Sequence, residues 1–207
     1  MISPDGSTVL LPRSRSAPAG ANLEFGAVLA VLLVTGWVAN HFVALMPTIS
    51  DRQHLSRSTL DAIFGIYAVG LLPGLLIGGR ASDALGRKAV ALSGSATAVV
   101  GTVAMLLSQQ PDVLLAGRLI VGIGVGLAMT SGTAWASDLR GPAGAATAGA
   151  VLIAGFAIGP FAGGLIAGAG DFGVEVSFAV AAALVVVAMA ITFAAARGTA
   201  EDRKSVV

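Results

Sequence analysis

Six long apolar runs constrain this chain more than any other feature of its sequence. A helix of about 18 or more apolar residues is long enough to cross a bilayer core of ~30 Å. Only 11% of the 207 residues are charged, against roughly 25% in soluble proteins. The sequence therefore predicts an all-α membrane protein with six transmembrane helices. The predicted spans are 25–47, 60–79, 89–108, 113–137, 143–167 and 176–196.

The composition excludes several other classes of protein. A chain that is 56% hydrophobic is too apolar to be disordered. The apolar runs lack the polar–apolar alternation of a membrane β-barrel. The net charge of +1 gives no general attraction for nucleic acid. There is no cysteine, so disulfides and thiolate metal sites are excluded, and we predict no cofactor and no metal.

The positions of lysine and arginine predict the orientation in the membrane. Basic residues concentrate in the loops on the cytoplasmic side of membrane proteins. With the N-terminus inside, nine basic residues lie in cytoplasmic segments and two lie outside. We expect a multi-pass protein of the inner or plasma membrane with both termini in the cytoplasm. The inner residues are Arg13, Arg15, Arg80, Arg87, Lys88, Arg140, Arg197, Arg203 and Lys204, and the outer ones are Arg52 and Arg57.

The ends of the chain are predicted to be non-membrane segments. Residues 1–24 are predicted as a flexible cytoplasmic tail, 25–196 as the six-helix transmembrane domain, and 197–207 as the start of a cytoplasmic loop. A signal peptide is the rival interpretation of the N-terminal segment. The first apolar run has 23 residues, which exceeds the usual 7–15 residues of a signal peptide core, and no Ala-x-Ala site follows it.

Spans one to three and spans four to six show the same order of features. Spans two and five each carry glycines four residues apart beside a proline. Glycines at this spacing share one helix face and let two helices approach closely in lipid. Because each triplet has an odd number of spans, the second is predicted to be inverted, as in many transporters. The ladders are Gly70, Gly74 and Gly78 with Pro73, and Gly155, Gly159 and Gly163 with Pro160.

Four polar residues inside or near the spans are the candidates for chemistry. Arg118 is a charge inside a span, which requires an aqueous or polar neighbour, and Asp61 is one possible partner. His41 and Arg118 are both predicted about 9 Å below the outer boundary, with Asn40 beside His41. Three of them also have a structural interpretation: Arg118 as a tie between helices, Asp61 as a helix-start acid, and His41 as a simple hydrogen-bonding group.

The segment between spans two and three carries a short motif. Gly70 is followed after eight residues by Gly79, and then by Asp83, Gly86, Arg87 and Lys88. This spacing resembles the signature of the major facilitator superfamily, although Arg80, Ala81 and Ala84 depart from it. Two further patterns resemble that family in the expected spans. They are Arg118, Gly122 and Gly124 in span four, and Gly155, Gly159, Pro160, Gly163 and Gly164 in span five, which the family associates with antiporters.

The resemblance implies roles for these residues. Asp83 and Arg87, with Asp138, would form a cytoplasmic charge network that holds the outward-open state. Arg118 would help to couple proton movement to transport, and the glycines around Pro160 would bend span five and seal it against leak. Members of this family have two six-helix halves. This chain would therefore be a fragment, or would pair with a second copy or with a separately encoded half.

The sequence thus predicts transport of a small molecule by alternating access, most simply proton-coupled efflux of a drug-like compound or metabolite. Its partners would be the lipid bilayer, the substrate and protons. The alternative is a membrane subunit or fragment that does not transport and acts only through association of its glycine faces. An intramembrane enzyme has little support, because no metal-protease, paired-carboxylate or nucleophile motif is present.

Overall fold

The protein is an all-helical bundle, as the sequence predicts. The computed structural model describes the backbone of residues 19–205 and the side chains of residues 20–195. In lipid every backbone N–H and C=O must be bonded within its own segment, which favours helices over open strands. The helices are α1 Ala19–Gln53, α2 Arg57–Leu85, α3 Arg87–Leu107, α4 Pro111–Ala167 and α5 Gly173–Ser205.

The fourth helix contains two of the six predicted spans. Five helices within the described range are long and apolar enough to cross a membrane. At 1.5 Å per residue the 57 residues of α4 would extend about 85 Å, far more than one bilayer core. The backbone leaves helical geometry at Arg140 and Gly141. We refer to residues 111–139 as the first limb of α4 and to residues 142–167 as its second limb.

Contacts with α1 show that the two limbs run in opposite directions. Along the first limb Arg118 bonds to Ala39, and Gly132 lies against Leu32. Along the second limb Gly155 lies against Leu33 and the later Gly163 lies against His41. The first limb is therefore antiparallel to α1 and the second is parallel to it, so α4 crosses the bundle twice.

The helices extend beyond the predicted apolar runs. α1 begins at Ala19, so residues 19–24, assigned above to a flexible tail, are helical, while residues 1–18 lie outside the described residues. α5 continues to Ser205, into the segment predicted as a loop. Hydropathy marks only the part of a helix that lies in lipid, and Ala, Glu, Lys and Arg outside it are good helix formers.

The two ends of the bundle are closed by different contacts. The end that carries Gly86 and Gly141 is called the Gly86 end, and the opposite end is called the Arg52 end. At the Gly86 end Arg140 Nη2 donates to Asn22 Oδ1 at 2.5 Å. At the Arg52 end Arg52 pairs with Glu175 at 3.2 Å and donates to the carbonyl oxygen of Asp171. These contacts fix both ends of α1 to the second triplet.

The turn in α4 depends on a glycine. Gly141 has φ 62° and ψ −153°, a conformation that is essentially restricted to glycine. We expect Gly141→Ala to lower the free energy of unfolding by about 2 kcal/mol, measured by circular dichroism in detergent micelles. Gly149→Ala in the second limb is the control, because a Cβ there meets nothing within 4 Å and the backbone is helical. Equal stability of the two variants would contradict the role of Gly141.

Candidate functional site

Arg118 is the centre of the most unusual polar site in the bundle. Arg118 is only 1% exposed to solvent. Its Nη1 donates to the carbonyl oxygen of Ala39 at 3.2 Å. Its Cζ lies 4.7 Å from the ring centroid of Phe42 and 4.3 Å from that of Tyr67. The guanidinium therefore joins α1, α2 and the first limb of α4.

Asp61 is not the partner of Arg118. Asp61 is exposed, and no ion pair joins it to any side chain between residues 20 and 195. Asp61 lies near the start of α2, whereas Tyr67, about 9 Å further along the helix, faces the guanidinium. The charge of Arg118 is instead stabilised by a carbonyl dipole and two aromatic faces. Each cation–π contact contributes roughly 2 kcal/mol when it is desolvated.

Several buried polar atoms around this site lack a hydrogen-bond partner among the described protein groups. They lie on α1, α2, α5 and the first limb of α4, close to the level of Arg118. A buried polar atom without a partner costs about 1–3 kcal/mol, and such an atom in a folded protein calls for a functional or solvent-related explanation. The atoms are Arg118 Nε, Tyr67 Oη, His41 Nε2, Trp37 Nε1 and Ser177 Oγ.

His41 is fully buried and held in one orientation. Its Nδ1 lies 3.1 Å from the carbonyl oxygen of Val38, and its ring is edge-on to Phe178 with the centroids 5.5 Å apart. A carbonyl oxygen only accepts, so Nδ1 carries a hydrogen and Nε2 is the atom that can take up a second proton. The rings of Phe178 and Phe42, whose centroids are 6.3 Å apart, connect His41 with Arg118.

Asn40 has a different environment from its neighbour His41. Its Nδ2 donates to the carbonyl oxygen of Phe156 at 2.9 Å. Phe156 belongs to the second limb of α4, so this bond joins α1 to that limb. The first limb contacts a different face of α1. Of the four predicted pathway residues, the structure therefore brings His41 and Arg118 into one cluster, turns Asn40 towards another helix, and leaves Asp61 at the surface.

A second polar site lies at the Gly86 end. Arg87 pairs with Asp83 at 2.5 Å and with Asp138 at 3.2 Å, and its Nη1 donates to Ser82 Oγ at 2.7 Å. Gly86 has φ 94°, a conformation that favours glycine, and it allows the chain to reverse between α2 and α3. Arg87 thereby connects α2, α3 and the first limb of α4.

Ser82 is a member of this site that the sequence analysis did not single out. Its residue is 2% exposed, and its Oγ donates to the carbonyl oxygen of Gly79 at 2.8 Å while accepting from Arg87. A serine next to a predicted charge network was the available signal. Lys88 takes no part in the network and instead lies with its Nζ 5.8 Å from the ring centroid of Phe193.

The two glycine ladders form close contacts between helices. Gly70, Gly74 and Gly78 of α2 pack on the backbone of the first limb of α4, and Gly155, Gly159 and Gly163 of the second limb pack on α1. Gly164 lies beside Ala44, and Gly79 beside Thr130. Span two thus packs on span four as span five packs on span one, which is the exchange expected of two related triplets. The second limb stays helical through Pro160.

Comparisons with known proteins identify the family. Residues 27–206 match the sequence profile of the Major Facilitator Superfamily. The chain belongs to the Major Facilitator Superfamily. A search of solved structures finds the proton:xylose symporter XylE bound to 6-bromo-6-deoxy-D-glucose, with a TM-score of 0.72 and 17% identity over 84% of this chain and 44% of that one. An inward-open XylE from E. coli gives 0.67 and 17%, over 82% of this chain and 47% of that one.

Relatives in sequence include proteins named for multidrug resistance. Multidrug resistance protein MdtL of Shigella flexneri serotype 5b (strain 8401) is 33% identical over 96 residues, which are 46% of this chain and 24% of that protein. MdtL of Escherichia coli (strain K12 / DH10B) is 32% identical over the same shares. The chain thus covers about a quarter of the length of these relatives. The structure is a partial major facilitator fold.

Proposed function

We propose that this chain forms the six-helix part of a transporter that moves a small molecule by alternating access. The observation that carries the proposal is Arg118, a guanidinium 1% exposed in a predicted membrane interior without a carboxylate among its described contacts. A charge in this position costs at least ~2.5 kcal/mol and is characteristic of residues on substrate or proton pathways. The name of the MdtL relatives supports a drug-like compound or metabolite as the substrate.

Proton-coupled efflux is the form of transport that we propose. His41 Nε2 is the atom in the cluster that can take up a proton, and a charged imidazolium would repel the nearby guanidinium of Arg118. That repulsion would weaken the bond from Arg118 to Ala39 and release α1 from the first limb of α4. Loss of the proton would restore the bond. A protonated His41 and the bond between Arg118 and Ala39 would therefore exclude each other.

The charge network at the Gly86 end would act as the latch of the proposed cycle. The side chains of Asp83 and Asp138 are 65% and 59% exposed, so each pair contributes at most about 1 kcal/mol. We expect Asp83→Asn to slow ethidium flux in proteoliposomes about fivefold, because 1 kcal/mol shifts a two-state population by that factor. The dissociation constant for ethidium should not change. We place this end in the cytoplasm, as the distribution of basic residues predicts.

The control for this prediction is Asp51→Asn at the Arg52 end. Asp51 is exposed and forms no ion pair with another described side chain, so flux and binding should equal those of the parent. Loss of ethidium binding in Asp83→Asn would contradict a latch and point to a binding residue instead.

The faces opposite the glycine ladders are apolar and open. Leu72 and Leu76 on α2 are 60% and 74% exposed, and Phe161 and Leu165 on the second limb of α4 are 71% and 64% exposed. These faces would contact lipid, a second copy or the remaining half of a full transporter. The glycine faces themselves are occupied within the bundle, so the alternative of a non-transporting subunit would also have to associate through the opposite faces.

The proposed function is tested with the purified chain in proteoliposomes. A pH gradient is imposed, ethidium serves as the drug-like probe, and entrapped pyranine reports proton movement. We expect ethidium and protons to move in opposite directions. Ethidium movement should require the imposed pH gradient, and proton movement should require ethidium. If the correctly inserted chain carries no gradient-driven flux, the non-transporting alternative is favoured.

A further inference from the structure

An open groove lies at the Gly86 end between α3, α5 and the first limb of α4. Its volume is about 560 Å³, within the ~300–1,000 Å³ range of ligand pockets. It belongs neither to the Arg118 cluster nor to the glycine faces. Its walls are apolar and its rim is cationic. The wall residues are Leu85, Leu92, Trp135 and Phe193, and the rim residues are Arg87 and Lys88.

The rim of the groove carries a positive charge that no described carboxylate pairs with. Arg87 is already paired with Asp83 and Asp138. Lys88 has no carboxylate within 4.0 Å among the side chains from residue 20 to residue 195. Its ammonium instead leans towards the ring of Phe193. Among the described residues, Lys88 is therefore the rim cation without a carboxylate partner.

The walls of the groove require an apolar occupant. Leu85 is 72% exposed and Phe193 is 50% exposed, and both lie at the predicted boundary of the membrane. Trp135, 6% exposed, lies at the level where indole rings concentrate in membrane proteins. A free inorganic anion would leave the apolar side chains of Leu85 and Leu92 uncovered, and a neutral hydrocarbon would supply no negative charge for Lys88.

We propose that the groove is a binding site for an anionic phospholipid of the bilayer. The phosphate would lie against Lys88 at the rim, and one acyl chain would cover Leu92 and Trp135. Basic pockets between transmembrane helices at the cytoplasmic boundary bind anionic headgroups in this way. The charge at the rim and the apolar walls are complementary to the two parts of one lipid molecule.

The fluorescence of Trp135 tests the proposal in proteoliposomes of the full chain. The chain has two tryptophans, so Trp37→Phe leaves Trp135 as the only one. The vesicles contain phosphatidylglycerol or phosphatidylcholine with dibrominated acyl chains at equal mole fraction, and bromine quenches a tryptophan that it contacts. We expect stronger quenching by the phosphatidylglycerol. Inorganic phosphate, compared with chloride at equal ionic strength, should not change this preference.

Matched variants assign the preference to the groove. Lys88→Gln should lower the relative affinity for phosphatidylglycerol about fivefold, because one basic residue near the membrane surface contributes about that factor. Lys88→Arg should retain the preference. Arg80→Gln should also retain it. Arg80 is exposed and lies near the Gly86 end of α2, but it does not line the groove.

Three results would overturn the proposal. Equal quenching by the two lipids in the parent chain would show that the groove does not select an anionic headgroup. An undiminished preference in Lys88→Gln would remove the role of the rim. An equal loss in Arg80→Gln and Lys88→Gln would show a general effect of surface charge, and displacement by inorganic phosphate would show a site for a free anion.

Discussion

Replacing Arg118 with methionine is expected to reduce gradient-driven transport to the level of protein-free liposomes while the protein stays folded. Methionine keeps most of the side-chain volume between Phe42 and Tyr67 but removes the charge and the bond to Ala39. Volume-conserving core replacements usually change the free energy of unfolding by less than about 1.5 kcal/mol. Arg118→Ala should lose transport too, with an added penalty for the cavity.

The measurement is ethidium flux in proteoliposomes, with detergent unfolding curves for the same preparations. Arg118→Lys retains the charge but cannot reproduce the planar contacts with the two rings, so partial flux is expected. Arg80→Met, which removes an exposed arginine, is the matched control and should transport like the parent. Normal flux in a folded Arg118→Met variant would leave Arg118 with a purely structural role as a tie between helices.

The largest loss of stability is expected from Gly155→Ala. A Cβ at this position would lie within 3.0 Å of the carbonyl carbon of Leu33 and 3.1 Å of the Cα of Gly36. These are backbone atoms, so α1 and the second limb of α4 would have to separate along their length. We expect the free energy of unfolding to fall by about 3 kcal/mol, the upper part of the range for overpacked cores.

Gly149→Ala controls for the general effect of adding a methyl group to the same limb. Its Cβ would meet nothing within 4 Å, and alanine is a better helix former than glycine by roughly 0.5–1 kcal/mol. Thermal unfolding of the two variants in one detergent measures the difference. Equal transition temperatures would contradict the proposed close contact, since the two substitutions are chemically identical.

The sequence predicted the glycine ladders but not their partners. The spacing of Gly155, Gly159 and Gly163 places them on one face of a helix. Nothing in that spacing states that the face packs on α1, because the partner is separated by more than a hundred residues. The same holds for Arg118, whose position in a span was evident while its neighbours Ala39 and Tyr67 were not. The suggestion that Asp61 is the partner of Arg118 was wrong, because Asp61 is exposed about 9 Å along α2 from Tyr67, the residue of that helix that contacts the guanidinium.

By itself, the sequence determined that the chain is an all-α membrane protein with six crossings, since hydropathy and helix length depend only on local residues. It also determined the related order of features in the two triplets. Only the tertiary structure decided which side chain meets Arg118, which helices the glycines bring together, and that the chain turns back between spans four and five at Arg140 and Gly141. These outcomes depend on rotation of each helix about its own axis, which is set by packing against the other helices and not by any local pattern.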